Sequence, residues 1–185
     1  GAGLAAAEAA VQAGGDRRIG ATGVHLADNV SLLVRSAGEE VGDFAHIWLN
    51  GVDVAAGERG YNLAALSAAG ELLGQATFDT LASVQASTDM AAWLDQWPPG
   101  TVIAGAVADE ASYQLGEVAV AALHRLGVVT DLRGRFRWSH AFIGVVGAEA
   151  GTALDAAGLL GPAQVQVGPA LNEPRVYGQL HAITI

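Results

Sequence analysis

The chain has 185 residues, which suits one domain with a short segment attached at either end. Its formal net charge is −10 and its cationic side chains are all arginine, so a surface of clustered cations is not expected and we predict no nucleic-acid partner. Cysteine is absent, which excludes disulfides and thiolate metal sites. No apolar run approaches the roughly 18 residues of a membrane span, so membrane insertion is not expected either.

Residues 1–18 are predicted to be an alanine-rich leader or linker. Within them, residues 4–13 are rich in Ala, Leu, Glu and Gln, which favours a short helix that Gly14 and Gly15 would end. The segment lacks the charged start and strong apolar core of a recognisable signal peptide. We therefore place the domain itself at residues 19–185.

The first part of this domain has the pattern of short strands. Residues 31–35 and 45–49 are apolar runs bounded by Gly, Asp and Asn, and the Asn50-Gly51 dipeptide that follows favours a tight turn. Residues 61–66 and 74–78 flank a polar turn, which predicts a β-hairpin.

A helix is predicted next, over residues 87–97. Ser87 or Thr88 would cap its start, and the run Pro98-Pro99-Gly100 would end it. Its large apolar residues fall on one helical face: Met90, Trp93, Leu94 and Trp97.

The second half alternates strands with one further helix. Residues 101–107 form a continuous apolar run, which indicates a central strand covered on both faces. A helix is predicted over 111–126, with Gly127 at its end. Its apolar stripe consists of Leu115, Val118, Ala119, Ala122 and Leu126. Later strands are predicted at 141–146, 164–167 and 179–185.

These elements predict an α+β domain, described more closely as a compact β-sandwich-like domain of mostly antiparallel short strands with two to three flanking helices. Four stretches also occur in the order and spacing of a known family. They are ERGYNLAAL at 58–66, TFDT at 77–80, GTVIAGAVADEASYQL at 100–115 and FRWSHAFIGVVG at 136–147. Residues 58–147 thus resemble the interleukin-like EMT inducer domain, also called the PANDER-like domain, which forms the stem of protein O-mannose N-acetylglucosaminyltransferase.

The resemblance implies a sugar site. The stem domain binds a terminal β-linked N-acetylglucosamine through two arginines and one aspartate, and the matching positions here are Arg59, Asp109 and Arg137. Such groups suit a sugar, because a carboxylate accepts hydrogen bonds from hydroxyls and a guanidinium donates several in a fixed geometry. The same three residues could instead form an internal network that fixes loops, and both interpretations stay open.

The chain departs from the family pattern beside Arg137. Trp138 and His140 stand where the family has Asp and Trp, and we include both as candidate ligand-binding residues. For Trp138 the choice is between stacking on a sugar and ordinary packing, since neighbours on an extended strand point to opposite faces. Asp79 is expected to form a turn or cap a helix rather than bind a ligand.

We therefore expect a non-catalytic carbohydrate-binding module that recognises a terminal, N-acetylglucosamine-like sugar on a glycan or glycoprotein at the cell surface or outside the cell. No cofactor, metal or catalytic residue is expected. An arginine-paired Asp109 should have a lowered pKa, unsuited to a general acid, and no nucleophile or nucleotide motif occurs. The alternatives are a structural, assembly or protein-interaction domain, as a homo-oligomer or part of a larger parent, and a secreted signalling factor.

Overall fold

The computed structural model describes residues 11–14 and 17–169. In this part of the chain, ten strands form one branched sheet, and two helices lie against it. All strand pairs are antiparallel except β1 with β10 and β2 with β7. The strands are β1 (Val11–Gly14), β2 (Leu32–Gly38), β3 (Phe44–Leu49), β4 (Val52–Asp53), β5 (Gly60–Leu66), β6 (Leu72–Phe78), β7 (Val102–Asp109), β8 (Ser139–Val145), β9 (Leu154–Gly158) and β10 (Ala163–Val167). The helices are α1 (Val84–Asp95) and α2 (Glu117–His124), and a 3-10 turn covers Glu39–Val41.

The sheet folds over on itself into two layers. One layer has the order β1-β10-β2-β3-β4 and the other β6-β5-β7-β8-β9. They are joined where the ends of β2 and β7 pair, Ala37 with Ala108 and Gly38 with Asp109. Elsewhere β2 and β10 pack face to face against β8. The α+β class and the sandwich-like arrangement predicted from the sequence are confirmed, and the sheet does not close into a barrel.

β7 lies at the centre of the core. Val102, Ala104 and Ala106 face the cluster of apolar side chains between the two layers, whereas Ile103 and Val107 face a second cluster under the helices. All five are fully buried. This strand is covered on both faces, as its continuous apolar run predicts.

The strand predictions are confirmed for the described residues, with small shifts at the ends. β5 and β6 form the predicted hairpin, with Tyr61 opposite Phe78. Asn50 and Gly51 both adopt left-handed backbone angles, φ 48° and 82°, which a tight β-hairpin turn between β3 and β4 requires.

The first helix begins earlier than its pattern predicts. Ser83, rather than Ser87 or Thr88, is the N-cap, and its hydroxyl accepts a hydrogen bond from Ala86 N at 3.2 Å. Ser87 is buried instead, and its hydroxyl accepts from Gly116 N at 2.9 Å, so it fixes the start of the other helix.

The second helix is shorter than predicted and begins at Glu117. The preceding residues 111–116 form a loop attached to Thr80, whose hydroxyl donates to Ala111 O at 2.7 Å and whose carbonyl accepts from Gln114 N at 2.8 Å. The predicted apolar stripe is wrong at Val118, which is 50% exposed.

The predicted N-terminal helix is wrong where the structure can be compared with it. Val11–Gly14, the end of the predicted helix, is a strand that pairs in parallel with β10. Because a strand satisfies its backbone through a partner, pairing with β10 overrides the helix propensity of this alanine-rich stretch. The rest of that helix and the strand predicted at 179–185 lie outside the described residues, and the domain boundary at residue 18 stays a prediction.

Candidate functional site

The strand registers bring Arg59, Asp109 and Arg137 to one end of the sheet. Arg59 precedes β5, Asp109 is the last residue of β7, and Arg137 stands two residues before β8. Gly60 lies opposite Ala108, which places Arg59 beside the end of β7. We call these three residues and the carboxylates that interact with them the polar edge; those carboxylates are Glu39, Glu40, Asp43 and Asp79.

Arg59 is held by Asp79. Its Nε and NH2 donate to the carboxylate, with distances of 3.1 Å and 2.7 Å to Oδ2. This pairing lowers the pKa of Asp79 and raises that of Arg59. Asp79 also accepts a hydrogen bond from Ala82 N at 3.1 Å, which is the predicted turn-forming interaction. It therefore both forms the turn and pairs with Arg59. Both side chains remain partly open to solvent.

Arg137 is held by the 3-10 turn after β2. Its guanidinium forms ion pairs with Glu39 and, at 2.5 Å, with Glu40, and the hydrogen bond that it donates to Glu40 is the main cause of its raised pKa. The guanidinium also lies over the Phe136 ring, 4.8 Å from its centroid. The side chain that the resemblance assigns to sugar binding is therefore already engaged by two carboxylates.

The backbone of Arg137 is fixed as firmly as its side chain. Its N–H donates to Oε2 of Glu110 at 2.9 Å, and Glu110 is only 2% exposed. On the other side its carbonyl packs on Gly38, where an added Cβ would stand 1.9 Å from the Arg137 oxygen. Sequence reasoning did not find that Glu110 anchors Arg137.

The Asp109 carboxylate differs from its neighbours. Within the part of the chain that the structure describes, nothing donates a hydrogen bond or forms an ion pair to it. Burial raises its pKa, Asp43 and Glu39 raise it further, and Arg59 and Arg137 oppose them. The predicted lowering of this pKa is wrong, because both arginines are paired with other carboxylates while Asp109 is partly withdrawn from water.

The backbone at this end of the sheet is strained. Five described residues other than glycine have positive φ, and three belong to the polar edge: Asp43 at 52°, Asp109 at 57° and Arg137 at 59°. Aspartate tolerates this region better than most residues, but arginine does not. Such residues cost about 1–3 kcal/mol each and concentrate at binding and catalytic sites. The strain is thus an independent indication of a functional site here.

Trp138 lies away from the polar edge. Its half-buried ring packs against the apolar cluster under the helices, and the Arg135 guanidinium covers it at 4.7 Å from the ring centroid. The alternation expected of an extended strand does not apply here, because Arg137 lies in a turn with a left-handed φ of 59° and the strand begins only at Ser139. The structure therefore does not bring Trp138 to the three-residue site, and its packing interpretation fits the geometry.

His140 is the clearest correction among the candidate ligand-binding residues. It is completely buried, and its ring lies between Tyr61 and Asp155. The Tyr61 hydroxyl is 3.0 Å from Nδ1, and Asp155 Oδ1 is 3.0 Å from Nε2. A side chain with no exposed surface and both ring nitrogens engaged does not reach a ligand, so the predicted contact is wrong in this structure.

The group formed by Tyr61, His140 and Asp155 is a buried polar network. Burial alone would raise the pKa of Asp155, but its hydrogen bond and charge interaction with His140, together with the N–H of Val129, hold that pKa well below its usual value. An ionised Asp155 accepts from Nε2–H of His140, and the Tyr61 hydroxyl is the hydrogen-bond partner of Nδ1. Burial raises the pKa of Tyr61, so the phenol stays protonated.

An apolar groove adjoins the polar edge at Arg137. Its volume is 510 Å³, and its lining residues are Glu40, Val41, Phe136, Arg137, Leu159 and Leu160. Phe136 is 53% exposed and Leu160 85% exposed, which is unusual for large apolar side chains. Sequence reasoning missed this groove, although Phe136 stands in the FRW stretch that carries the resemblance.

In the described ranges no cluster of three or more His, Asp or Glu side chains is arranged to hold a metal ion. None of the helices there has both the length and the apolar character that crossing a membrane requires.

The fold and the site define a small α+β domain with a strained, charged edge at one end of its sheet. Residues 59–148 match the family model of the interleukin-like EMT inducer, which confirms the resemblance over this part of the chain. No curated protein matches the sequence. The matched residues cover β5 to β8 and both helices, whereas the strands β1 to β4, β9 and β10 complete the two layers from outside the match.

Proposed function

We propose that this domain is a non-catalytic carbohydrate-binding module that recognises a terminal, N-acetylglucosamine-like sugar at the polar edge. The observation that carries the proposal is the Asp109 carboxylate, which is partly open to solvent and has no donor within the described residues. A carboxylate has about four acceptor positions, and two neighbouring sugar hydroxyls are suitable donors for them. The proposal places the protein at the cell surface or outside the cell, with a glycan or glycoprotein as partner.

The two arginines support this proposal by their rigidity. Asp79 engages Nε and NH2 of Arg59, and NH1 remains to donate to a ligand oxygen. Arg137 is fixed by Glu39 and Glu40, and its position beside the groove allows apolar C–H groups of a sugar to contact Phe136. Groups held in place before binding lose little conformational entropy when a ligand arrives.

Glu110 is not placed to act with Asp109 in sugar hydrolysis. A glycosidase needs two carboxyl groups that face each other across the scissile bond. The neighbour of Asp109 is Glu110, which is buried and accepts backbone N–H groups of Ser112 and Arg137. It therefore does not face Asp109 across an open site.

Loss of sugar binding in site variants tests the proposal. Each hydrogen bond contributes about 0.5–1.5 kcal/mol, so wild-type affinity for a single sugar is expected between micromolar and millimolar. Arg59→Ala and Asp109→Asn are each expected to weaken binding about tenfold in an NMR titration with methyl β-N-acetylglucosaminide. Asparagine is preferred at 109 because it tolerates the left-handed backbone there.

Arg125→Ala is the matched control, since this arginine pairs with Asp95 on α1 and takes no part in the polar edge. It should bind like the wild type. The proposal is overturned if a folded wild-type protein binds no N-acetylhexosamine or related terminal sugar, or if the two site variants bind as well as the control.

A second candidate function is assembly with another copy of the chain, which the exposed groove residues Phe136, Leu159 and Leu160 favour. Large apolar surface of this kind commonly marks a protein interface. If this is the function, light scattering should give a mass that rises with protein concentration, and Leu160→Glu should keep the protein monomeric. A constant monomer mass over the micromolar range would count against it.

A further inference from the structure

The charges at the polar edge do not balance. The polar edge contains two guanidinium groups, those of Arg59 and Arg137. It contains five carboxylates: Glu39, Glu40, Asp43, Asp79 and Asp109. These groups leave an excess of three negative charges among the described residues that define the edge. The imbalance agrees with the formal charge of −10 for the whole chain.

The positive charges of the two arginines are already engaged by carboxylates within the polar edge. Arg59 is neutralised by Asp79, whereas Arg137 pairs with both Glu39 and Glu40, whose combined charge exceeds its own by one. Asp109 and Asp43 remain, and Asp43 is exposed at the turn that leads into β3. A ligand that approaches Asp109 therefore meets uncompensated negative charge rather than a cationic cradle, although the family resemblance emphasises the arginines.

We propose that the polar edge selects neutral and cationic sugars and rejects anionic ones, so that its ligands are unmodified N-acetylhexosamines or free amino sugars rather than sulfated, phosphorylated or uronic-acid glycans. This inference rests on the proposed sugar binding and names the class of ligand. Its physical basis is charge repulsion, which reaches about one Debye length, roughly 8–10 Å at physiological salt. In a water-like dielectric each such charge changes affinity by roughly twofold, so three change it by about tenfold.

Three sugars that differ only at the C2 nitrogen provide the test. The methyl β-glycosides of N-acetylglucosamine, glucosamine and N-sulfoglucosamine carry a neutral, a cationic and an anionic substituent on the same ring. Titrations followed by NMR at low salt are expected to show the N-sulfo sugar at least about tenfold weaker than the N-acetyl sugar, with the free amine at least as tight as the N-acetyl sugar. Raising the salt concentration should shrink these differences.

A substitution at Asp43 tests whether charge, rather than the shape of the N-sulfo group, causes the weaker binding. Asp43→Asn removes one charge while keeping a residue that tolerates the positive φ of position 43, and it should improve binding of the N-sulfo sugar about twofold relative to binding of the N-acetyl sugar. Asp95→Asn, in the exposed pair with Arg125, is the control and should leave both unchanged.

The outcomes distinguish the two proposals. If the N-sulfo sugar binds as tightly as the N-acetyl sugar or more tightly, the selection is overturned while sugar binding stands. If Asp43→Asn and Asp95→Asn affect the N-sulfo sugar equally, the repulsion does not come from the polar edge. If none of the three sugars binds, the proposed function itself fails.

Discussion

Asp155→Ala is expected to lower the free energy of unfolding by about 3–5 kcal/mol, measured by urea denaturation at pH 7. The Asp155 side chain is only 8% exposed, and its carboxylate accepts from His140 Nε2 and from the N–H groups of Val129 and Thr130 at 2.8 Å and 2.9 Å. Alanine leaves these donors without a partner at a site with little access for water. Removing one member of a buried charged network costs more than the net contribution of the interaction itself.

Asp95→Ala is the matched control, because this aspartate forms an exposed ion pair with Arg125. Exposed pairs contribute little, so the control should unfold nearly like the wild type. If Asp155→Ala and Asp95→Ala destabilise the protein equally, the buried network does not stabilise the fold in the way we describe.

The pH dependence of the free energy of unfolding independently tests the contribution of ionised Asp155 to this network. The pKa of Asp155 is held below its usual value in the folded protein, so its stabilising contribution is fully present above the unfolded pKa of about 3.9. That contribution is lost as the pH falls towards the lowered pKa. Asp155→Asn lacks this titration, and the stability gap between it and the wild type should narrow from pH 7 to about pH 3. A constant gap would contradict the assignment.

Much of the fold could be predicted because its strands follow simple patterns. The run at 101–107 indicates a strand covered on both faces, and Asn50-Gly51 indicates its turn without any tertiary information. The helix starts could not be predicted in this way. Ser87 has the side chain of an N-cap, but it bonds to Gly116, the residue before the other helix, and only the packing of α1 beside α2 determines that choice.

The sequence could predict where the candidate site residues lie in the fold, but not which side chains pair with them. The motif order places Arg59 and Asp109 at strand ends, and the registers bring them together as a sugar site would require. The partners of Arg137, Glu39 and Glu40, lie before the stretch that resembles the family, so no motif connects them. For the same reason sequence reasoning could not assign a buried role to His140, whose partner Asp155 follows that stretch.

Gly38→Ala is expected to destabilise the protein by about 1–3 kcal/mol and to weaken sugar binding along with it. The added Cβ would stand 1.9 Å from the carbonyl oxygen of Arg137 and 2.7 Å from its carbonyl carbon, and backbone atoms cannot rotate away as a side chain can. The Arg137 loop must therefore move off β2. That movement strains the hydrogen bond from Arg137 N to Glu110 and the ion pairs with Glu39 and Glu40.

Gly158→Ala separates this steric effect from the general cost of replacing a strand glycine. Gly158 also lies in a strand, has no positive φ, and an added Cβ there meets nothing within 4 Å. It should leave stability and sugar affinity close to the wild-type values, or raise stability slightly, because alanine loses less entropy on folding. Equal effects of the two substitutions in thermal unfolding would show that the Arg137 backbone does not pack closely against Gly38 of β2. If the Gly38→Ala protein is destabilised but still binds sugar normally, Arg137 does not take part in sugar binding.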